Sequence, residues 1–178
     1  MTKPSKAWIQ TYTGKKFCYD DIKNNVISIV DIAHALSQIN RFTGHVKAPY
    51  SVAQHSVAVS YNVPPEDALW GLCHDMAEAY AGDVNKPLKN KLGDSYRDIE
   101  ARIMKRICKE FGLKGTMPMS VHIADMRMLL TEKRDLFDHT LPWSGYAGIE
   151  PYTKKIKPWS SKVAERKLLA RFKDLHKP

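Results

Sequence analysis

From residue 29 onward the apolar positions Ile29, Ile32, Ala33, Leu36 and Ile39 recur at spacings of three and four. That spacing puts them on one face of a helix, with Asp31 in its first turn. A second helix is expected over 51–61, and Pro64-Pro65 closes that segment and opens a third helix over 66–79, stopped by Gly82. Over 96–111, Ile99, Ile103, Ile107 and Phe111 step by four while Arg97, Glu100, Lys105 and Arg106 fill the other face. Helices are also expected over 120–137 and 163–175, separated by a loop over 141–159 rich in Pro, Gly and Trp. Before these, 8–17 reads as a short β-hairpin turning at Gly14 and leading into a polar loop through Asn25. The pattern predicts an all-α helical bundle with a short N-terminal hairpin.

The chain has 178 residues, enough for one domain with a full core, and 1–178 is expected to be that domain. No apolar run is long enough to cross a bilayer, and residues 1–6 are polar rather than signal-like, so a cytosolic protein without membrane contact is expected. Cys18, Cys73 and Cys108 are widely spaced and suggest neither a disulfide framework nor a thiolate zinc site. The formal charge is +9, of which a net +7 falls in residues 151–178. Such a segment suits a solvated helix face or attraction of polyphosphate. Without any reader motif it argues against specific nucleic-acid recognition.

The candidate chemistry lies in the adjacent pair His74-Asp75, set between His55 and Asp125. Two neutral imidazoles and two carboxylates suit one borderline divalent ion such as Zn, Co, Mn or Fe, and on an octahedral ion they leave positions open for water and substrate. On a helix over 66–79, Glu78 lies one turn beyond Asp75 and His74, so three ionisable groups share a face. His34 reads as a packed core histidine, His45 as a loop residue, and His122 and His139 as background.

Four stretches stand in order: Asn40-Arg41-Phe42, Tyr50-Ser51-Val52-Ala53-Gln54-His55-Ser56, the run from Cys73-His74-Asp75 through Glu78 and Gly82-Asp83 to Lys86 and Lys89, and Ala124-Asp125. Together they resemble the HD superfamily of metal-dependent phosphohydrolases, in particular small 5′-deoxynucleotidases and phage dATP triphosphohydrolases. The resemblance implies an HD-domain bundle in which His55, His74, Asp75 and Asp125 hold the metal. It implies that Glu78 orients the attacking water or carries a proton, and that Asp83 contacts the sugar hydroxyl or assists at the phosphate. Arg41 would bind phosphate, and Phe42 would pack against the sugar where some relatives have Trp. Lys86 and Lys89, expected in a loop after the His-Asp helix, are candidates for outer phosphates, and Trp143, Tyr146 and the hairpin aromatics for pocket walls.

The expected activity is hydrolysis of a deoxynucleoside triphosphate, dATP foremost, to deoxynucleoside and triphosphate. The alternative is a 5′-deoxynucleotidase releasing phosphate from a monophosphate. Alarmone hydrolysis ranks third, because Glu78 is followed by Ala79 rather than Asp. A nucleic-acid-binding or scaffold protein with a structural metal is the non-enzymatic alternative. The resemblance further implies a homo-oligomer, dimeric or hexameric, in the host cytoplasm if phage-encoded.

Overall fold

The computed structural model describes residues 7–139 and 141–177. The polar stretch 1–6 therefore lies outside the described residues. The chain is all-α apart from one short hairpin. β1 (Trp8–Gln10) pairs antiparallel with β2 (Lys16–Cys18), with Ile9 opposite Phe17. Gly14 makes the turn at φ +81, a region open to glycine without a Cβ clash. The hairpin is anchored at both ends. Phe17 is buried and stacks on Tyr80 at 4.0 Å, and the Asp31 carboxylate accepts bonds from the Thr13 N–H at 2.7 Å and its hydroxyl at 3.0 Å.

The helices are α1 (Ile29–Gln38), α2 (Val52–Ser60), α3 (Ala68–Cys73), α4 (Glu78–Ala81), α5 (Lys86–Leu92), α6 (Asp94–Phe111), α7 (Met119–Leu136) and α8 (Ser161–Leu175). α2 is the central one. Every residue of it except Ala58 is buried, and it packs against α1, α3, α7 and α8. Apart from Gln54 and His55, its sequence, Val-Ala-Gln-His-Ser-Val-Ala-Val-Ser, is small or apolar on all sides, as burial on nearly every face requires. Ser51 caps it by accepting from the Gln54 N–H at 3.2 Å. Around it, Ile32, Leu36, Leu72, Met76, Ile103, Ile107 and Leu168 fill one continuous core. No helix among the described residues is long and apolar enough to cross a membrane.

Two expected elements are corrected. The helix over 66–79 is not continuous: α3 ends at Cys73, α4 begins at Glu78, and His74 to Ala77 form tightened turns between them. Backbone bonds there switch to a three-residue step, Met76 N–H to Cys73 C=O and Glu78 N–H to Asp75 C=O, both at 3.0 Å. The segment carrying Lys86 and Lys89 is the helix α5 rather than a loop, capped by the Asn85 side chain accepting from the Leu88 N–H at 3.1 Å. The irregular stretch 141–159 is as expected.

The close approach of α3 to α2 depends on Gly71. A Cβ there would lie 3.1 Å from the Ser60 Cα and 3.4 Å from its nitrogen, both backbone atoms that cannot swing aside. A Gly71→Val variant is therefore expected to push α3 outward and lose about 2–3 kcal/mol of stability. Urea unfolding of the variant beside the natural chain measures this, and an unchanged midpoint would mean that the contact is slack.

Candidate metal centre

The site forms where α2, the turn after α3, and α7 meet. His55 comes from the buried middle of α2, His74 and Asp75 from the tightened turn, and Asp125 from the second turn of α7. Ligand atoms of His55, His74 and Asp125 lie within 4.8 Å of one another. The two Nε2 atoms are 3.3 Å apart. Asp125 Oδ1 lies 3.1 Å from His55 Nε2 and 4.0 Å from His74 Nε2. Asp75 Oδ2 lies 3.2 Å from His74 Nε2 and 3.6 Å from His55 Nε2.

These atoms fit a metal on chemical grounds. His74 Nδ1 donates to the Gly71 carbonyl at 2.8 Å, and His55 Nδ1 donates to Glu132 Oε1 at 2.7 Å. Each neutral ring therefore directs its Nε2 lone pair into the cluster, where the other acceptors are carboxylate oxygens. Four converging acceptors repel one another unless a cation lies among them. For ligand bonds of about 2.1 Å, adjacent ligand atoms sit about 3.0–3.4 Å apart, close to most of the spacings found.

The surrounding field draws positive charge inward. Burial and the Arg41 charge oppose a proton on His55, yet the Glu132 and Asp125 carboxylates raise its pKa to about 9. Burial favours a neutral Asp75, but His74, His55 and Arg41 outweigh it and lower the pKa. Asp125 is lowered against its burial by its bond to His55 and by both imidazoles. A divalent ion would satisfy the same field as the proton it displaces.

Glu132 is the residue that sequence reasoning missed. It is fully buried, and besides His55 it accepts from Arg41 Nε at 3.0 Å and from the Tyr50 hydroxyl. Its position seven residues after Asp125 is two helical turns along the same face, a spacing from which it could have been found.

Arg41 is brought to the site but is buried and already paired, with Nη1 3.5 Å from Asp75 Oδ2 as well as Nε on Glu132. Burial works against its charge, but Glu132 and Asp75 more than offset this and raise its pKa. It is followed by left-handed residues at Phe42 (φ 57) and Thr43 (φ 53), a conformation that costs about 1–2 kcal/mol per non-glycine residue. The turn is pinned by the Arg41 N–H donating to the Tyr50 carbonyl at 2.9 Å. Phe42 packs edge-on against Phe137 at 5.2 Å and lies 6.1 Å from Trp143.

Glu78 is buried with Oε2 unpartnered, and burial followed by the Asp75 and Asp83 charges pushes its pKa well up. Burial likewise raises Asp83, against the pull of Arg41. Both are within electrostatic reach of the ligands. Lys89 reaches the site, 3.7 Å from Glu78 Oε1 and 2.6 Å from Glu100 Oε1, whereas Lys86 is exposed on α5. An open cleft of about 270 Å³ beside the cluster is lined by His74, Asp75, Glu78, Lys89, Arg97 and Met104, among others. His34 is corrected from a core histidine. It is partly exposed, stacks on Tyr12 at 3.6 Å and reaches Glu165 at 3.3 Å. His45, His122 and His139 are exposed. Tyr146 is half-buried in the 141–159 loop and is not among the residues lining the cleft.

No family model matches this chain. It is 42% identical over 172 residues to the uncharacterized protein YfdR of Escherichia coli (strain K12), an overlap covering 95% of this chain and 96% of that protein. The chain belongs to the YfdR family. An uncharacterized protein of Rhodobacter capsulatus is 29% identical over 125 residues, 65% of this chain and 64% of its own length. The overlap with YfdR takes in nearly all of the chain, so the elements that build the site in this family member fall almost wholly within the shared region.

Titration calorimetry with zinc is expected to give one site per chain, and His74→Ala is expected to abolish it while the far-ultraviolet circular dichroism stays that of the natural chain. Retained binding by the variant would place the metal elsewhere.

Proposed function

We propose that this protein is a metal-dependent phosphohydrolase of the HD type acting on 5′-deoxynucleotides, and that release of phosphate from deoxynucleoside monophosphates is the reaction its geometry favours. The observation that carries this reading is the convergence of His55, His74 and Asp125 on one another, with Asp75 alongside, where His74 and Asp75 also line a cleft that holds a buried carboxyl group with an unpartnered oxygen, Glu78. A purely structural metal has no use for Glu78. One divalent transition ion, with Zn, Co and Mn the best suited, would be held by His55, His74, Asp75 and Asp125 and would supply Lewis acidity toward a phosphoryl oxygen and a water.

The chain's own groups do the rest. Glu78, whose pKa is raised by burial and its acidic neighbours, would give a proton to the departing 5′-oxygen as the P–O bond breaks. It regains a proton from the attacking water, whose oxygen forms the new bond to phosphorus. Lys89 offers an ammonium to the phosphate on the cleft wall, and Arg41 holds Asp75 rather than meeting substrate directly. Phe42, beside Arg41 and against Trp143, presents an aromatic edge for the sugar or base.

Triphosphohydrolysis of dATP is the second reading: α5 carries Lys86 one helical turn before Lys89, and Lys89 lines the cleft. One feature weighs the other way. Lys89, paired with Glu78 and Glu100, can serve a single phosphate on the cleft wall, and Lys86 is exposed and not among the residues lining the cleft, so α5 brings no second cation there for outer phosphates.

Each deoxynucleotide is to be incubated as mono- and triphosphate with zinc, cobalt or manganese, and the products identified. Inorganic phosphate from the monophosphates is expected, with a loss of about 100-fold or more in Glu78→Gln and undiminished metal binding. Tripolyphosphate from dATP would move the assignment to the second reading. Survival of every nucleotide with every ion would remove the enzymatic one.

A further inference from the structure

We infer that Glu132 is a positioning residue for the metal: it sets His55 as a ligand through Nε2 and, by way of Arg41, ties that ligand to Asp75. The inference rests on the metal reading above and concerns groups that stand behind the ligands.

Glu132 is fully buried on the helix that also carries Asp125, so one face of α7 provides a ligand and the support of another ligand. Its two oxygens are divided between two tasks. Oε1 accepts from His55 Nδ1 at 2.7 Å, and Oε2 accepts from Arg41 Nε at 3.0 Å. A neutral imidazole with its proton on Nδ1 has its lone pair on Nε2, the atom that faces His74 and Asp125. The carboxylate thus selects the tautomer, fixes the ring against rotation and makes Nε2 a stronger donor to a metal. Arg41 Nη1 then reaches Asp75 Oδ2 at 3.5 Å, so one guanidinium spans the support of the first ligand and the carboxylate of the second.

The surroundings fit this use better than a general stabilising role. Buried ion pairs are poor sources of stability compared with apolar packing. Here every partner of Glu132 leads back to the cluster: His55 itself, Arg41 on the strained turn, and Tyr50, whose carbonyl pins that turn.

Full-length Glu132→Gln is to be compared with the natural chain by zinc affinity from chelator competition and by the visible spectrum of the cobalt form. Zinc binding is expected to weaken about 10–100-fold, with a changed cobalt spectrum. Because Glu132→Gln leaves Arg41 buried without its carboxylate, the double variant Glu132→Gln, Arg41→Gln, which removes both charges, is measured alongside and is expected to weaken binding at least as much. Nitrogen-15 spectra of the zinc-loaded natural chain are expected to show His55 protonated at Nδ1. A folded variant with natural zinc affinity and cobalt spectrum would overturn the inference even if it melted at lower temperature, and so would protonation at Nε2. If the natural chain itself bound no divalent ion, the metal reading would fail and this inference with it. That outcome is distinct because it appears before any substitution.

Discussion

Two imidazole nitrogens face each other at 3.3 Å with carboxylate oxygens on either side, and each ring has its other nitrogen committed to an acceptor outside the cluster. So many lone pairs cannot be held together by one another. The fold has to force them inward, and something positive has to relieve them. Much of the surrounding structure reads as the means of doing the first. α2 is buried on nearly all sides, which is how His55 comes to be fully enclosed, and Gly71 lets α3 lie close enough to α2 to bring His74 opposite. Glu132 and the Gly71 carbonyl hold the two rings by their Nδ1 atoms.

Local backbone geometry serves the same end. Between α3 and α4 the hydrogen-bond step shortens, so His74 and Asp75 stand on a tightened turn rather than in a regular helix. A three-residue step brings Glu78 into line with Asp75, and Gly82, at φ 81 and ψ 156, then turns the chain toward Asp83. On the opposite side Phe42 and Thr43 are left-handed although neither is glycine. The strain is borne next to Arg41, whose guanidinium bridges Glu132 and Asp75. Departures from regular geometry thus gather at the cluster, which fits the functional reading proposed for it.

Much of this was legible from the amino acids, and what was not has physical causes. The helices over 29–38 and 94–111 show apolar side chains at helical spacing, and the bounds expected for these and for 52–60, 119–136 and 161–175 lie within about two residues of the observed ends. α5 was missed because none of its residues is buried: Leu88 and Leu92 are exposed, so no apolar stripe marks it, and only Asn85, Pro87 and Gly93 signal its ends. The break within 66–79 was hidden because His74 and Ala77 keep right-handed helical angles while their hydrogen bonds change partners, and periodicity responds to the former. At the site, His55, His74 and Asp125 were found together because their chemistry and order stand out. Glu132 carries no such signal because a glutamate in a helix is usually a surface residue, and the pairing of Arg41 with Glu132 across 91 residues leaves no trace in local sequence.

The account stands or falls on whether a cation occupies the space those side chains enclose. Diffraction from crystals grown with zinc, recorded on both sides of the zinc absorption edge, addresses this directly. The account predicts one strong anomalous peak per chain, within bonding distance of His55 Nε2, His74 Nε2 and a carboxylate oxygen each from Asp75 and Asp125. A map with no peak there, or with the two imidazoles turned apart and bonded to water, would contradict it.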